Sequence, residues 1–238
     1  MGSIAGGPPM TVAVVGAAES VLETLEAAGY AAQAASPETA GRAEPEAIVT
    51  VGERALLAVV RERPDAAILA LNTDIGPAAD DHAAIVDALA GGAEHERPLL
   101  SVAVGGEPVG RAFMDVALVT SEPARISEYA VDHDDERVAA FRADGVVVAT
   151  PAGSRGYAGA AGGPTLAASA DALSVVPIAP FHTQSARWIL DTSPLTLSVL
   201  RDEGAVSLLI DDTEYGSVGP DQRVRLARHG TIRTLRPR

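Results

Sequence analysis

The amino-terminal part of the chain alternates between short apolar runs and stretches in which apolar residues recur at helical spacing. The apolar runs have the length of buried strands and lie at Thr11–Gly16, Ala47–Gly52 and Ala66–Asn72. Helical spacing occurs at Val21, Leu22, Leu25 and Ala28 with Gly29 as a stop, and again over Arg54–Arg63 and Ile85–Leu89. Continuous apolar strands separated by helices predict an α/β domain with a parallel sheet covered on both faces.

From Leu99 onward the pattern changes to short strands with alternating apolar positions. These strands are predicted within residues 99–104, 113–120, 124–133, 137–150, 195–201, 205–211 and 223–228. Their close spacing is typical of an antiparallel β-sandwich. We place the boundary in the polar stretch Gly91–Pro98, which gives an α/β domain at 1–98 and a β-sandwich domain at 99–238.

The segment ATPAGSRGYAGAAGGP, Ala149–Pro164, follows the apolar strand Gly145–Val148. Its glycines permit positive φ angles and close approach of the main chain, while Ser154 and Tyr157 add a hydroxyl and an aromatic face. Such a loop favours a nucleotide ligand. Glycine content alone is also typical of a plain surface loop in a chain rich in alanine and glycine.

The order TP-x-GS-x-x-Y-x-x-x-AGGP in this loop, preceded by Asp144-Gly145, resembles the dinucleotide-binding segment of the NAD kinase family. The residues in register are Asp144, Thr150, Pro151, Gly153, Ser154, Tyr157, Ala161, Gly162, Gly163 and Pro164. The resemblance continues through Val175–Leu190 and Leu208–Asp212. With Pro123–Arg125 held in register with the family's PAR, Met114-Asp115 corresponds to its Asn-acid pair.

This resemblance implies an archaeal-type NAD kinase that uses ATP to phosphorylate the adenosine ribose 2′-hydroxyl of NAD, with Mg²⁺ on the donor phosphates. The first domain would bind nucleotide, the second would bind the dinucleotide, and the tail would return to the first. Family members are homodimers or homotetramers. The implied binding residues are Gly52, Asn72, Asp115, Asp144, Thr150, Gly153, Ser154 and Tyr157.

The family's GGDG motif is altered here to Val51-Gly52-Glu53-Arg54. Glu53 keeps a carboxylate at the position of the general base, although its extra methylene moves the oxygens by about 1 Å, a shift that costs on the order of a hundredfold when it misplaces reacting groups. Arg54 either crowds the phosphate approach or replaces backbone donors as a phosphate ligand. Further departures are Met114 for asparagine, Ala152, Arg155, Gly156 and the shortened turn Asn72–Pro77.

These departures keep a second function open, namely a catalytically impaired paralogue that binds NAD(H) or NADP(H) as a sensor or as a regulatory partner. A lipid or sugar kinase that shares the GGDG core is a third alternative. It is disfavoured because TPAGSRGYAGAAGGP resembles the loop specific to NAD enzymes.

The chain carries 32 acidic and 18 basic residues, a formal charge of −14, no lysine and no cysteine. An acidic surface of this kind is typical of proteins adapted to concentrated salt, and a GC-rich genome also yields arginine without lysine. The charge argues against nucleic acid as a partner. Disulfides and thiolate metal sites are excluded, and the histidines show no paired ligand spacing, so metal ligands stay unassigned.

The segment Met1–Pro9 lacks the basic start and apolar run of a secretory signal, and no stretch of the chain has the length and hydropathy of a membrane span. We therefore expect a cytoplasmic protein without a membrane partner.

Overall fold

The computed structural model describes residues 9–16, 19–122, 125–181 and 186–238. Its secondary structure, in chain order, is β1 (Thr11–Val15), α1 (Glu19–Ala27), β2 (Ala31–Ala34), α2 (Pro37–Arg42), β3 (Ala47–Val51), α3 (Glu53–Glu62), β4 (Ala67–Leu71), α4 (His82–Gly91), β5 (Ala93–Val104), β6 (Glu107–Ala112), β7 (Asp115–Thr120), β8 (Ser127–His133), β9 (Glu136–Ala143), β10 (Gly145–Ala149), α5 (Tyr157–Ala160), β11 (Ala172–Ile178), β12 (Trp188–Asp191), β13 (Leu195–Arg201), β14 (Val206–Ile210), β15 (Thr213–Ser217) and β16 (Arg223–Arg236).

The chain divides into two compact units. The first consists of Met1–Glu96 with Ile232–Arg238, and the second of Arg97–Thr231. The chain therefore passes from one unit to the other within β5 and passes back within β16.

The first unit is built on a parallel sheet in the order β2-β1-β3-β4, with the end of β16 parallel to β4 through Thr234 and Ile68. Alternate residues of the strands, such as Val14 and Val49, form a buried cluster with Leu25 of α1 and Ile85 of α4. Helices α2 and α3 contact each other and also contact β1. Coverage on both faces explains why the strands are continuous apolar runs.

Local side chains fix where two of these helices begin. Ser36 Oγ accepts a hydrogen bond from the Thr39 N–H of α2 at 3.2 Å, and Asp81 Oδ1 accepts one from the Ala84 N–H of α4 at 3.0 Å. Helix α3 differs, because its cap residue is Gly52, which offers no side chain to the first-turn N–H groups. Those groups are left for another acceptor.

The second unit is a β-sandwich. One antiparallel sheet has the order β12-β11-β10-β7-β14-β15, and the other contains β9, β8, β13 and the first part of β16, with β5 and β6 alongside. Both sheets contribute to one buried cluster that includes Val116, Tyr129, Val146, Leu197 and Leu208. Together with the parallel sheet of the first unit, this confirms the predicted fold class.

Helix α5 covers the outer face of the first of these two sheets. Ala158 is fully buried there against Ala117, Val147, Ala149 and Val176. All four are small or β-branched, which lets the short helix lie close to β10. The loop that follows β10 is thereby held against the sheet at both of its ends.

The change from the first unit to the second, between Glu96 and Arg97, lies within Gly91–Pro98, but this stretch is mostly strand and not the expected polar linker. Strand β5 already begins at Ala93, and its first residues are held inside the first unit. Thr234 Oγ1 donates to the His95 carbonyl at 3.3 Å, and Arg233 forms an ion pair with Glu94. Glu94 and Glu96 are exposed, whereas Arg97 is only 1% exposed, and all three lie within one continuous strand.

None of the helices in the described ranges is long and apolar enough to cross a membrane.

Candidate functional site

The carboxyl edge of the parallel sheet in the first unit brings together three predicted residues, Gly52, Glu53 and Asn72. Gly52 has φ +86° and donates its N–H to the Leu71 carbonyl at 2.8 Å, which ties the end of β3 to the end of β4. Beside it, a methyl group at Gly16 would lie 2.8 Å from the Val51 carbonyl oxygen, so β1 also ends in close backbone contact. Ligands of parallel α/β sheets bind at this edge.

Helix α3 begins directly at this edge, and the side chains of Glu53 and Arg54 in its first turn are exposed. Neither forms a hydrogen bond or ion pair with another described residue. A free carboxylate, a free guanidinium and the N–H groups of an uncapped first turn therefore occupy one helix end. The N–H groups and the guanidinium can bind a phosphate, and the carboxylate can accept a proton.

Asn72 has a left-handed backbone with φ +53°. Its N–H donates to the Pro77 carbonyl at 2.9 Å, and its side-chain oxygen accepts from the Ala79 N–H at 2.8 Å. The turn folds back so tightly that a methyl group at Gly76 would lie 1.6 Å from the Ala70 carbonyl oxygen. The side-chain oxygen of Asn72 thus holds this turn in shape.

In the second unit, the bend Phe113-Met114 between β6 and β7 is held by the carboxylate of Asp211, which follows β14. Oδ1 of Asp211 accepts from the N–H groups of Met114 at 2.7 Å and Asp115 at 3.1 Å, and Oδ2 accepts from the Phe113 N–H at 3.0 Å. The Asp211 N–H donates to the Asp115 carbonyl at 2.9 Å.

Thr150, at the start of the glycine-rich loop, binds the same bend from the other side. Its N–H donates to the Met114 carbonyl at 2.9 Å, and its hydroxyl donates to the Phe113 carbonyl at 2.6 Å. The hydroxyl also accepts from the Ala152 N–H at 3.1 Å. A methyl group at Gly153 would lie 2.3 Å from the Met114 carbonyl oxygen, so only glycine lets the loop pack this closely.

Ser154 is fully buried in this loop. Its hydroxyl donates to the Pro151 carbonyl at 3.2 Å and accepts from the Leu166 N–H at 3.0 Å. The hydroxyls of Thr150 and Ser154 are thus both used inside the protein. They give the loop its shape, while the phenol of Tyr157 is partly exposed.

Tyr157 begins α5 and is 38% exposed. Partial burial raises the pKa of its phenol above the usual value of 10, and the carboxylates of Asp115 and Asp144 raise it further. The phenol therefore stays neutral at physiological pH and can donate a hydrogen bond.

The structure separates Asp115 from Asp144. Asp115 is 8% exposed and lies opposite Ala149, beside the start of the loop. Asp144 is exposed just before the other end of β10, about 17 Å away along the strand at roughly 3.4 Å per residue. Tyr157 is the residue whose phenol responds to both carboxylates.

Two residues close to the loop were not predicted from the sequence. One is Asp211, whose signal is a carboxylate directly after the apolar strand LLI at 208–210. The other is Arg187, whose guanidinium lies so close to Gly162 that a methyl group there would be 2.8 Å from Nη2. Met114, which corresponds to the family's asparagine in the predicted register, is only 7% exposed, so its side chain is buried inside the protein.

Pro123 and Ala124, which set the predicted register of Met114-Asp115, lie outside the described residues, as do residues 182–185 of the family-like stretch. No group of three or more His, Cys, Asp or Glu side chains that could hold a metal ion occurs among the described residues.

The family model of the ATP-NAD kinase C-terminal domain matches residues 114–230. The chain belongs to the NAD kinase family. The chain is 35% identical to the NAD kinase of Methanosarcina mazei over 132 residues. These residues make up 55% of this chain and 46% of that relative. The NAD kinase of Methanopyrus kandleri is 32% identical over 143 residues, which is 60% of this chain and 48% of the relative. The chain thus spans about half the length of the curated relatives that it matches.

Two solved structures share the fold over almost the whole chain. An NAD kinase from Archaeoglobus fulgidus in complex with ATP superposes with a TM-score of 0.75 at 20% identity, covering 96% of this chain and 94% of that one. Yeast NADH kinase complexed with NADH also superposes with a TM-score of 0.75, at 15% identity. This match covers 97% of this chain and 84% of that one. The region matched by the family model contains Asp115, Asp144 and the glycine-rich loop, whereas Gly52, Glu53 and Asn72 precede it.

Proposed function

We propose that this protein transfers the γ-phosphoryl group of ATP to the adenosine ribose 2′-hydroxyl of NAD, which yields NADP. The observation that carries the proposal is the backbone surface of the second unit. There the loop from Thr150 to Ser154 is fixed against the Phe113-Met114 bend, with Asp115 and Tyr157 beside it. A rigid loop with its hydroxyls already satisfied binds a flat, polar ligand at little entropic cost.

The dinucleotide would be held by the loop backbone, by the neutral phenol of Tyr157 and by the carboxylate of Asp115. Carboxylates are acceptors for ribose hydroxyls, and a phenol can both stack and donate. Asp144, which raises the pKa of the same phenol, would contact the far end of the ligand. The extended shape of a dinucleotide suits contacts spread along β10.

Glu53 would act as the general base. Its exposed carboxylate would take the proton of the 2′-hydroxyl as that oxygen attacks the γ-phosphorus and the bond to ADP breaks. The first-turn N–H groups of α3 would bind the donor phosphates, and Gly52, which has no side chain and no free N–H, would leave room for them. Of the groups at this edge, the exposed carboxylate of Glu53 is the oxygen ligand that would suit a Mg²⁺ ion brought by the ATP phosphates, and such an ion would supply charge neutralisation there.

The decisive experiment measures NADP formation by the purified protein with ATP, Mg²⁺ and NAD in molar KCl, with polyphosphate as a second donor. We expect Glu53→Gln to lower kcat by about a hundredfold or more, because loss of a general base removes that much. The dissociation constant for NADP⁺ should stay unchanged, since the loop belongs to the other unit. Glu62→Gln, at the far end of α3, is the matched control and should keep full activity. Equal turnover in Glu53→Gln and wild type would contradict the assignment of the base.

A second function is favoured by one observation, the side chains of Arg54 and Met114. A guanidinium follows Glu53 where the family has glycine, and a buried thioether stands where it has asparagine. A protein with these changes could bind NAD(H) or NADP(H) without turnover, as a sensor or regulatory partner. In that case the wild-type protein would bind dinucleotide in the same buffer but would form no NADP with either donor. Glu53→Gln would then leave the affinity for dinucleotide unchanged.

We also propose that the protein acts as a homodimer or homotetramer in the cytoplasm, as the resemblance to the family implies. Light scattering of the purified protein at molar KCl gives the subunit number directly.

A further inference from the structure

We infer that Asp211 is a positioning residue for the dinucleotide site: it holds the Phe113–Asp115 backbone, and that backbone in turn holds the glycine-rich loop. The inference rests on the proposed function for what the loop binds. The coupling between Asp211 and Thr150 does not depend on that function, because it is argued from hydrogen bonds.

The first step is the capture of consecutive N–H groups by one carboxylate. The N–H groups of Phe113, Met114 and Asp115 all donate to Asp211, at 3.0, 2.7 and 3.1 Å for their shortest contacts. These N–H groups belong to a bend and a strand start, so they have no helix to satisfy them. Hydrogen bonds to an ionised acceptor are about twice as strong as neutral ones.

The second step runs from the bend to the loop. The carbonyls of Phe113 and Met114, on the other side of the same peptides, accept the hydroxyl and the N–H of Thr150 at 2.6 and 2.9 Å. Because peptide groups are planar, rotation of the bend moves its N–H and carbonyl groups together. Any shift that frees the N–H groups from Asp211 therefore also moves the acceptors of Thr150.

The third step is packing. The backbone at Gly153 lies so close to Met114 that a methyl group there would be 2.3 Å from its carbonyl oxygen and 2.5 Å from its carbonyl carbon. The loop cannot keep its position if the bend moves toward it. Asp115, the next residue of the bend, is held by the same residue twice: its N–H donates to the Asp211 carboxylate, and its carbonyl accepts from the Asp211 backbone N–H.

Backbone conformation alone does not explain an aspartate here. Asp211 has φ +51°, which glycine or asparagine would adopt more readily. Oδ1 alone accepts from all three N–H groups, including that of Phe113 at 3.2 Å, and Oδ2 adds a shorter contact to the Phe113 N–H at 3.0 Å. Asparagine would keep the first set, but it would turn an NH₂ group toward the Phe113 N–H and would remove the negative charge that strengthens all of these hydrogen bonds.

The test compares Asp211→Asn with Asp134→Asn. Asp134 has nearly the same backbone, φ +50°, lies in the turn after β8 and is exposed, so it controls for the chemical change and for the positive φ. Hydrogen exchange followed by mass spectrometry should show faster exchange in Asp211→Asn for peptides covering residues 111–117 and 149–156. Peptides of the first unit should be unchanged, and Asp134→Asn should match wild type in both regions.

Ligand binding provides the functional readout. We expect the dissociation constant for NADP⁺ to rise about tenfold in Asp211→Asn, with the KM for ATP unchanged, since a general loss of folding would alter both. Faster exchange at 111–117 without any change at 149–156, or wild-type affinity for NADP⁺, overturns the inference. A wild-type protein that binds no dinucleotide contradicts the proposed function instead, and the exchange data then decide the role of Asp211 by themselves.

If Asp211→Asn does not fold, Thr150→Val tests the same coupling from the opposite side. It removes the donor to the Phe113 carbonyl while keeping the shape of the side chain. Faster exchange at 111–117 in this variant supports the coupling, and wild-type exchange there refutes it.

Discussion

Arg54 places a positive charge in the first turn of α3, where the helix N–H groups already carry partial positive charge. A cation at that end costs about 0.3–1 kcal/mol relative to a neutral residue. The guanidinium has no partner among the described residues that would offset this cost. An anionic ligand at the same helix end would offset it.

We therefore expect Arg54→Gln to stabilise the free protein slightly and to raise the KM for ATP severalfold, because a phosphate ligand is lost while the helix remains. Arg63→Gln, an exposed arginine after the other end of α3, should leave the KM for ATP unchanged. Steady-state kinetics with varied ATP measures both. A lower KM in Arg54→Gln would mean that the arginine only obstructs the phosphates.

Tyr157 is expected to remain a hydrogen-bond donor over a wide pH range. Burial, Asp115 and Asp144 all raise its pKa, so the neutral phenol persists in the folded state at pH values where an unfolded chain would ionise near 10. The favourable contribution of the neutral form is thus complete below pH 10 and is lost only as pH rises through the folded pKa. Affinity for NADP⁺ should be independent of this group from pH 7 to 9.

Tyr157→Phe should weaken NADP⁺ binding by about 2- to 10-fold, as expected for one hydrogen bond of 0.5–1.5 kcal/mol. Tyr157→Ala should weaken it more, because the ring is lost as well. Removing the nearby charge in Asp115→Asn should lower the pKa of Tyr157, which ultraviolet absorbance of the phenolate can follow against Tyr157→Phe as a blank. An unchanged phenolate titration in Asp115→Asn would place the two groups out of electrostatic reach.

At the scale of elements, the glycine-rich loop depends on one close contact. Gly153→Ala would put a methyl group 2.3 Å from the Met114 carbonyl oxygen, and that backbone cannot yield without moving the bend. We expect a loss of stability of about 1–3 kcal/mol, typical of overpacking, together with a large loss of NADP⁺ affinity.

Gly219→Ala is the control for this change. A methyl group there meets no other atom within 4 Å and should be tolerated. Thermal unfolding and NADP⁺ titration of the two variants separate a packed loop from a flexible one. Equal stability of both would show that Gly153 has room to move.

The elements that sequence predicted well are those with a strong apolar period. The predicted strands at Thr11–Gly16, Ala47–Gly52 and Ala66–Asn72 correspond to β1, β3 and β4 within one residue at each end. Strand β2 and helix α2 were missed because their sequences, AAQA and PETAGR, bury almost nothing and carry no period. The run at 137–150 is two strands, β9 and β10, which separate at Asp144.

The features of the candidate site also differ in whether the sequence alone could predict them. The order of glycines predicted the loop, because close packing at Gly153 leaves a local trace in the sequence. The Asp211 contacts leave none, since residues 96 to 98 positions apart meet only in the folded sheet. That the hydroxyls of Thr150 and Ser154 point inward also depends on the fold, and spacing alone could not indicate it.

For the whole molecule, a formal charge of −14 with no lysine predicts stability that depends on salt. Screening shortens from about 10 Å at 0.1 M to about 3 Å at 1 M ionic strength, which weakens repulsion between exposed carboxylates. We expect the melting temperature to rise by several degrees between 0.1 and 2 M KCl. Sorbitol at equal osmolality controls for solute exclusion, and an equal rise in sorbitol would argue against charge screening as the cause.

The two crossings of the chain between the units, within β5 and β16, set an order of events during synthesis on the ribosome. All of Arg97–Thr231 emerges before Ile232–Arg238, and those last residues supply the strand beside β4 and the Arg238 N–H bonded to Asp87. The β-sandwich can therefore fold while the parallel sheet still lacks its final strand. Nascent chains released before residue 232 should contain a protease-resistant second unit and an unfinished first one.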